Sequence, residues 1–453
     1  MKIIIAGGGK IGSSVAELLV LEGHDVTVIE QDPAVITRLS NSLDLICVEG
    51  NAASPDVLRE AGAAQAELLV AAMETDEVNM VCAIAARKLG CGHAIARVRD
   101  PRYLRQQEFF RDALGLSYIL NPEHECAAEI SRVLRFPGAT RVDTFSKGSV
   151  ELVEYRVLPG DRLIGLPLKS LAGQFGAKVL VSVAERGSEA LIPNGDFIPQ
   201  AGDRLSIAGT AKELRKFFAA FGHNRKRVRS AILMGGSRLA VYLARILEES
   251  GIAVTVIDRD RSRCEELCEL IPQARIVCGD GSNSDVLDEE GLRTSDAFVA
   301  LTGDDGENIA TSLYVKSQRE IKIITKVNRE HFSRLMEAAG LDSVVAPRLM
   351  VAQQIARYVR AMNHSRGSSM ETLYRLADGK VEALEFRVGE DSACVGTPLK
   401  ELKIKANILV CALIRGSTSI IPNGDTHILP GDHAIVVSAA GRLTNLDEIV
   451  EAT

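Results

Sequence analysis

The chain has 453 residues, 46% of them hydrophobic and 25% charged, a globular composition with room for three or four domains and unlike that of a disordered chain. Its 53 Lys and Arg against 60 Asp and Glu leave a net charge of −7, and only 4% of residues are aromatic, with no Trp, which argues against a general phosphate-backbone binder or a stacking platform for single strands. No apolar run approaches the ~18 residues of a bilayer span, the opening MKIIIAGGG lacks a signal-peptide layout, and the nine cysteines are scattered without a CxxC pair, so the expectation is a soluble cytoplasmic protein with neither disulfide scaffold nor zinc ribbon.

In chain order the first predicted element is a β-branched strand, Lys2–Ala6, running into a glycine turn and then a helix with Val15, Leu18, Leu19 and Glu22 on successive turns. Further strands are expected at Asp25–Ile29, Asp44–Val48, Leu68–Ala72, His93–Val98 and Tyr118–Leu120, with amphipathic helices between them. Strands alternating with helices of this length predict an α/β, Rossmann-like, doubly wound parallel sheet with right-handed crossovers. Asn121-Pro122 opens a helix with a cap and an N1 proline, and Phe136-Pro137-Gly138 reads as a hinge. Over 144–210 the pattern changes to strands at Val150–Val157, Lys178–Ala184 and Arg204–Ala208, punctuated by Pro-Gly-Asp and Asn-Gly turns, which predicts a small α+β domain. The segment HNRKRVRS (223–230) then reads as a solvated basic linker, with Arg225, Lys226, Arg227 and Arg229.

After the linker the chain starts again. Residues 231–258, AILMGGSRLAVYLARILEESGIAVTVID, align without a gap on residues 3–30, IIIAGGGKIGSSVAELLVLEGHDVTVIE; VCGDGSNSDVL (277–287) matches VEGNAASPDVL (48–58), and IPNGD occurs at both 192–196 and 421–425. The sequence is therefore a duplicated unit of about 225 residues, each copy too long for one nucleotide-binding layer. The expected domains are 1–136, 144–221, 230–362 and 371–453, with His364 to Ser369 in the place of the first hinge.

The chemistry-bearing signal is Gly7-Gly8-Gly9-Lys10-Ile11-Gly12 between strand and helix. In such a GxGxxG the first glycine permits the tight turn and the second admits a pyrophosphate. The third allows close helix–strand packing, and the helix N-terminus faces the phosphates. Glu30 ends the second strand, where a carboxylate accepts hydrogen bonds from ribose hydroxyls and repels a 2′-phosphate. The second copy keeps Gly235 and the carboxylate, as Asp258, but has Ser237 at the middle position and Ala240 at the third; the serine β-carbon is expected to crowd a pyrophosphate. Asn51 and Asp280 head the turn after the third strand and read as adenine-side contacts or Asx turns. Thr75-Asp76 and Asp304-Asp305 read as helix N-caps. Arg97 and Arg99 are candidates for reading phosphate, with a surface salt bridge as the alternative; Lys326 and Asn328 replace them in the second copy. Cys264 and Cys268, four apart, read as idle thiols. His124 and Cys126 make no triad, and Tyr314 and Lys316 lack the spacing of a dehydrogenase Tyr–Lys pair.

These segments resemble the RCK (regulator of conductance of potassium) or KTN module. GGGKIGSSVAELL, TVIEQDP, VEGNA, METDEVNMV and IARVRDP read like its N-terminal nucleotide-binding half; LPGDRLIGLPLKSL with IPNGDFIPQAGDRL, and again VGTPLKEL with IPNGDTHILPGDHAIV, read like its C-terminal half. Two modules in one chain without a membrane span look like the TrkA-type family. The resemblance implies two Rossmann-like domains, each followed by an RCK C-terminal domain, in a regulatory subunit and not an enzyme. Such a subunit assembles into a homo-oligomeric ring, dimer or tetramer, beneath a TrkH-like potassium transporter on the cytoplasmic face of the inner membrane, and binds NAD(H) and ATP or ADP. The cofactor-binding residues it implies are Gly7, Gly8, Gly9, Lys10, Ile11, Gly12, Glu30, Asn51, Ala52, Met73, Thr75, Arg97 and Arg99 in the first copy. In the second they are Gly235, Ser237, Arg238, Leu239, Asp258, Arg259 and Asp280. The competing readings are an NAD-dependent dehydrogenase, for which no hydride-transfer acid or base stands out, and a free-standing nucleotide sensor.

Overall fold

The computed structural model describes residues 1–104, 106–136, 138–221, 228–328, 336, 339–341, 343–364, 370–439, 441 and 443–451. The first repeat opens with β1 (Lys2–Ala6), α1 (Lys10–Leu21), β2 (Asp25–Glu30), α2 (Pro33–Ser42), β3 (Ile46–Glu49), α3 (Pro55–Glu60), β4 (Leu68–Ala71) and α4 (Asp76–Lys88). It continues with β5 (His93–Arg97), α5 (Pro101–Leu104), α6 (Gln107–Leu114), β6 (Tyr118–Leu120) and α7 (Pro122–Arg135). The strands form one parallel sheet in the order β3-β2-β1-β4-β5-β6. Ile3, Ile4 and Ile5 of β1 and all of β4 are buried, because helices cover both faces of a parallel sheet. The strand order reverses between β1 and β4, the switch point at which doubly wound sheets open a crevice at their carboxyl ends. Asn121 caps α7 as expected, its Oδ1 accepting from the His124 N–H at 2.9 Å.

An antiparallel sheet follows, built from β7 (Ala139–Phe145), β8 (Val150–Arg156), β9 (Leu180–Arg186), β10 (Glu189–Leu191) and β11 (Arg204–Gly209) in the order β10-β9-β11-β8-β7, with α8 (Leu171–Phe175) and α9 (Ala211–Phe221) beside it. Strand β7 starts at Ala139, just past the Phe136–Gly138 segment, and neither it nor β10 is foreseen by the alternation pattern. Pro137, the 365–369 stretch and Arg225, Lys226 and Arg227 of the basic linker lie outside the described residues.

The second repeat reproduces both sheets. Its parallel one holds β12 (Ser230–Met234), α10 (Arg238–Glu249), β13 (Ala253–Asp258), α11 (Arg261–Leu270), β14 (Arg275–Cys278), α12 (Ser284–Glu289), β15 (Ala297–Ala300), α13 (Asp305–Gln318), β16 (Lys322–Lys326) and β17 (Val344–Val345), followed by α14 (Pro347–His364). The strand order is β14-β13-β12-β15-β16-β17, the same switch-point topology. The last sheet is β18 (Met370–Leu376), β19 (Val381–Arg387), β20 (Ile408–Arg415), β21 (Thr418–Ile420) and β22 (His433–Ser438), ordered β18-β19-β22-β20-β21 and antiparallel throughout.

The chain divides into two compact units, each drawing on both repeats. One holds the two parallel sheets (Met1–Ile130, Ala231–Thr294 and Phe298–Ala356). Within it Tyr242 of α10 donates to the Arg99 carbonyl at 2.9 Å and accepts from Asn121 Nδ2 at 3.0 Å. The other unit (Ser131–Ser230, Ser295–Ala297 and Arg357–Thr453) holds the two antiparallel sheets. These share one apolar core, with Phe145, Leu152 and Val183 meeting Leu376, Ala383 and Val437. The Tyr374 hydroxyl donates to the Thr144 carbonyl at 2.6 Å, and its ring lies edge-on to Phe145 at 4.8 Å. Among the described residues no helix is long and apolar enough to cross a membrane.

Candidate functional site

At the carboxyl end of β1 the chain turns through Gly7 at φ +99°, a conformation that a side chain disfavours. A β-carbon there would also press on Met73, 3.1 Å away after β4. At Gly12 it would lie 1.8 Å from the Gly7 carbonyl oxygen, so α1 sits on the turn with no space for a methyl group. At Gly9 nothing stands within 4 Å. The middle glycine thus faces open space ahead of the α1 N-terminus, where Lys10 is exposed and Ile11 half-buried. Glu30 closes the turn from the end of β2: one carboxylate oxygen accepts from the Gly8 N–H at 2.7 Å, and the other from Gln31 and Asp32 N–H at 2.6 and 3.1 Å. Asn51 is an Asx turn, accepting from Ala53 N–H at 2.9 Å, with Ala52 buried beside it.

The second turn has the same plan. Gly235 sits at φ +100°, and Asp258 Oδ2 accepts from Gly236 N–H at 2.6 Å. Ser237 is the N-cap of α10, its hydroxyl accepting from Ala240 N–H at 3.4 Å, whereas Gly9 offers no such bond to α1. The serine therefore occupies one of the helix N–H groups that a phosphate would use, a more specific effect than crowding by its β-carbon. Ala240, buried in α10, stands in the place of Gly12. A cavity of about 560 Å³, within the range of small-molecule sites, brings together Gly235, Ser237, Asp258, Arg259 and Asp280. It also takes in Gly236, Arg263, Thr302 and Glu307, which the sequence reading omits, and Asp304, read there only as a helix cap. Leu239 is buried in α10, and Arg238 is exposed at its first position. The Asp280 carboxyl is held below its ordinary range by the Ser282 hydroxyl and N–H, at 2.7 and 2.9 Å.

Behind the turns, two asparagines tie the ends of neighbouring strands. Asn79, fully buried, accepts from Met73 N–H at 2.7 Å and donates to the Met73 and Arg97 carbonyls at 3.1 and 2.9 Å; Asn308 does the same for Thr302 and Lys326. The reading of Thr75-Asp76 and Asp304-Asp305 as caps is corrected in part. Asp304 caps α13 through Glu307 N–H at 2.9 Å, but Thr75 makes no side-chain cap bond. Asp76 and Asp305 instead accept from the backbone beyond the fifth strand, at Arg99 and Asp100 N–H (2.8 Å each) and at Asn328 N–H (2.9 Å). They hold that segment because a buried carboxylate needs partners and the first-turn position is otherwise free.

Arg97 and Arg99 are not surface groups. Arg97 is largely buried, 3.9 Å from Glu123 and 3.5 Å from the Met73 carbonyl, and burial lowers its pKa against the pull of Glu123. Arg99 stands 3.6 Å from Asp76 and bonds the Glu74 carbonyl. Neither bonds the Gly7–Gly12 turn. Lys326, in the place of Arg97, donates to the Leu301 and Thr302 carbonyls at 3.3 and 2.9 Å, and burial lowers its pKa. Arg259 is exposed, 4.0 Å from Glu307. Cys264 is buried beside the Asp258 carbonyl while Cys268 is exposed. Burial pushes the Cys126 thiol well above its ordinary value, and the His124 ring packs edge-on against Tyr242.

The TrkA-N domain model matches residues 3–122 and 231–347, and the TrkA-C domain model matches 152–222 and 383–450. A "Trk system potassium uptake protein TrkA homolog" of Archaeoglobus fulgidus is 32% identical over 99% of this chain and 100% of its own length. The "Trk system potassium uptake protein TrkA" of Vibrio alginolyticus is 30% identical over 96% and 95%. Among solved structures, "GsuK channel bound to NAD" superposes with a TM-score of 0.64 at 18% identity, covering 97% of this chain and 77% of that one, a likeness of fold.

Proposed function

The chain belongs to the TrkA family, and on that premise we propose that it is a regulatory subunit of potassium uptake whose two crevices bind NAD(H) and ATP or ADP. It assembles as a homo-oligomeric ring on a TrkH-like membrane transporter at the cytoplasmic face of the membrane and does no chemistry on its ligands. The observation that carries the reading is the pair of switch-point turns, Gly7–Gly12 and Gly235–Ala240. Each ends a central strand, begins a helix, and has a second-strand carboxylate on a loop amide. The open position at Gly9 fits a pyrophosphate against the α1 N-terminus, and Glu30 would exchange the Gly8 N–H for ribose hydroxyls.

The regulation follows from differential binding, since a ligand shifts a conformational equilibrium only by as much as it prefers one state. In this reading Met73 and Thr75, after strand four, and Arg97 and Arg99 respond to the part of the ligand beyond the pyrophosphate. Calorimetric titration with NADH, ATP, ADP and NADPH tests binding. Potassium flux in vesicles carrying a TrkH-like transporter, with and without the chain and each nucleotide, tests the rest. Absence of nucleotide binding, or flux indifferent to the chain, overturns the reading.

A further inference from the structure

A second constellation lies in the unit that holds the antiparallel sheets and stands apart from the nucleotide reading. Glu371 occupies the bulge of β18, Glu385 lies on β19 and His433 begins β22. A bulge re-aims the side chain it releases from the ladder. Here it brings the Glu371 carboxylate to 2.7 Å from His433 Nδ1, which is 3.4 Å from Glu385 Oε1, and one donor atom from each of the three residues falls within 4.8 Å of the others. Ligands at about 2.0–2.2 Å from a tetrahedral Zn²⁺ stand about 3.3–3.6 Å apart, so the Glu385–His433 contact already fits and the Glu371–His433 contact must open slightly. Glu371 and His433 are 40% and 32% exposed and provide the path in; the Glu385 side chain is 3% exposed.

The first repeat supplies an internal comparison. Its β7 carries the same bulge, and the three matching positions hold Thr140, Glu154 and Arg204. There an arginine stands at the position of the imidazole, and Thr140 donates to Glu154 at 2.7 Å. In the second repeat the arginine has become an imidazole and the threonine a second carboxylate. Arg387, opposite His433 on β19, makes no ion pair with either glutamate among the described residues. Two carboxylates, one of them buried, thus converge on a nitrogen ligand where the sister position carries an arginine, and a buried charge needs a counter-charge. Nitrogen in the ligand set selects zinc-class cations over Ca²⁺ and Mg²⁺, which prefer all-oxygen cages.

We propose that Glu371, Glu385 and His433 form a zinc-class divalent cation site with solvent in the fourth position. Glu385 also accepts from the backbone N–H and hydroxyl of Ser146, which follows β7 in the first antiparallel sheet. The cation would therefore tie together β18, β19 and β22 and brace the contact between the two sheets.

The test uses the full chain, stripped of metal by chelator and titrated with Zn²⁺. The double variant Glu371→Thr with His433→Arg copies the set with which the first repeat already folds. One equivalent bound by the wild type and lost in the double variant, with only nitrogen and oxygen neighbours in X-ray absorption and a raised melting temperature, supports the proposal. No uptake, equal uptake by the variant, sulfur scatterers at about 2.3 Å from cysteine ligands, or displacement of zinc by equimolar Ca²⁺ or Mg²⁺ overturns it. Should the double variant not fold, His433→Gln removes the nitrogen ligand alone and is read by the same outcomes.

Discussion

The Tyr242 hydroxyl donates to the carbonyl of Arg99 across 143 positions of sequence, and it accepts from Asn121. Tyr242 lies on the helix that begins at the second glycine turn, while Arg99 follows the fifth strand of the first sheet, where Asp76 holds the backbone. On the proposed function, a shift of α10 on ligand binding would be transmitted to the segment behind the first crevice. Tyr242→Phe should reduce the effect of one nucleotide on the affinity for the other, read by titrating each ligand in the presence of its partner. Loss of the two buried bonds should also cost about 1–3 kcal/mol in denaturant unfolding. Coupling unchanged in a variant so destabilised would show that the contact is only structural.

The same hydroxyl has a pH signature. Burial pushes the Tyr242 pKa from 10.0 up to about 12. The unfolded chain therefore loses this proton at lower pH than the folded one. The stability associated with the neutral phenol is complete below about pH 10 and disappears as pH rises towards 12. Denaturation midpoints across this window should fall less steeply in Tyr242→Phe than in the wild type.

Glu30→Ala should weaken NADH binding at the first site by about 1–3 kcal/mol, roughly 5- to 150-fold, as expected for charge-assisted bonds to a ribose. NADPH should lose less or gain, since the carboxylate that repels a 2′-phosphate is gone. A parallel loss for both ligands would mean that Glu30 serves only to hold the Gly8 N–H.

Much of the first sheet was legible in the residues: β1 and β6 fall on the predicted spans, and the others shift by one or two positions at their ends. Strands buried on both faces leave continuous Ile, Val and Leu runs that mark their own limits. Strand β7 left no such mark, since Ala139–Phe145 alternates weakly and is fixed by pairing with β8 and by the core shared with the other sheet. At the site, the glycines and carboxylates were readable because turn chemistry is local. Asn79 was not, and Asp76 was read only as a cap, as the partners Arg97, Arg99 and Asp100 lie 18 to 24 positions away. The one available signal was the repeat itself, which sets an aspartate and an asparagine three apart at Asp76/Asn79 and at Asp305/Asn308.

Thiol reactivity should follow burial. All nine cysteines are free, and only Cys268 and Cys278 are exposed, with Cys47 intermediate. Burial raises Cys82 and Cys411 to about 12 and Cys394 to about 11, which removes the thiolate on which reaction depends. A disulfide reagent at pH 8 should label Cys268 and Cys278 quickly, Cys47 more slowly, and the rest only on unfolding. Rapid native labelling of Cys82 or Cys411, located by peptide mapping, would contradict the packing around them.

The two glycine turns differ in a way that substitutions can exchange. Gly9 has φ −65° and open space at its β-carbon, so Gly9→Ser strains nothing and gives α1 the cap that Ser237 gives α10. Its effect on folding should be small, within the few tenths of a kcal/mol that separate serine from glycine at a cap. Gly12→Ala is the opposite case: the methyl meets the Gly7 carbonyl oxygen, and overpacking of this kind costs about 1–3 kcal/mol. For the ligand the order reverses, because a serine cap ahead of α1 takes up a helix N–H that a pyrophosphate would use. Gly9→Ser should then weaken the first site without unfolding it, and Ser237→Gly should strengthen the second. Isolated halves are a poor vehicle, since each compact unit draws on both repeats. The measurement is instead NADH titration of the full chain, with Asp258→Ala weakening the second site or Glu30→Ala the first, so that the two binding steps separate. Equal affinities in the wild type and in a Gly9→Ser variant of equal stability would show that the middle position does not touch the phosphates, and the asymmetry between the turns would have no consequence for binding.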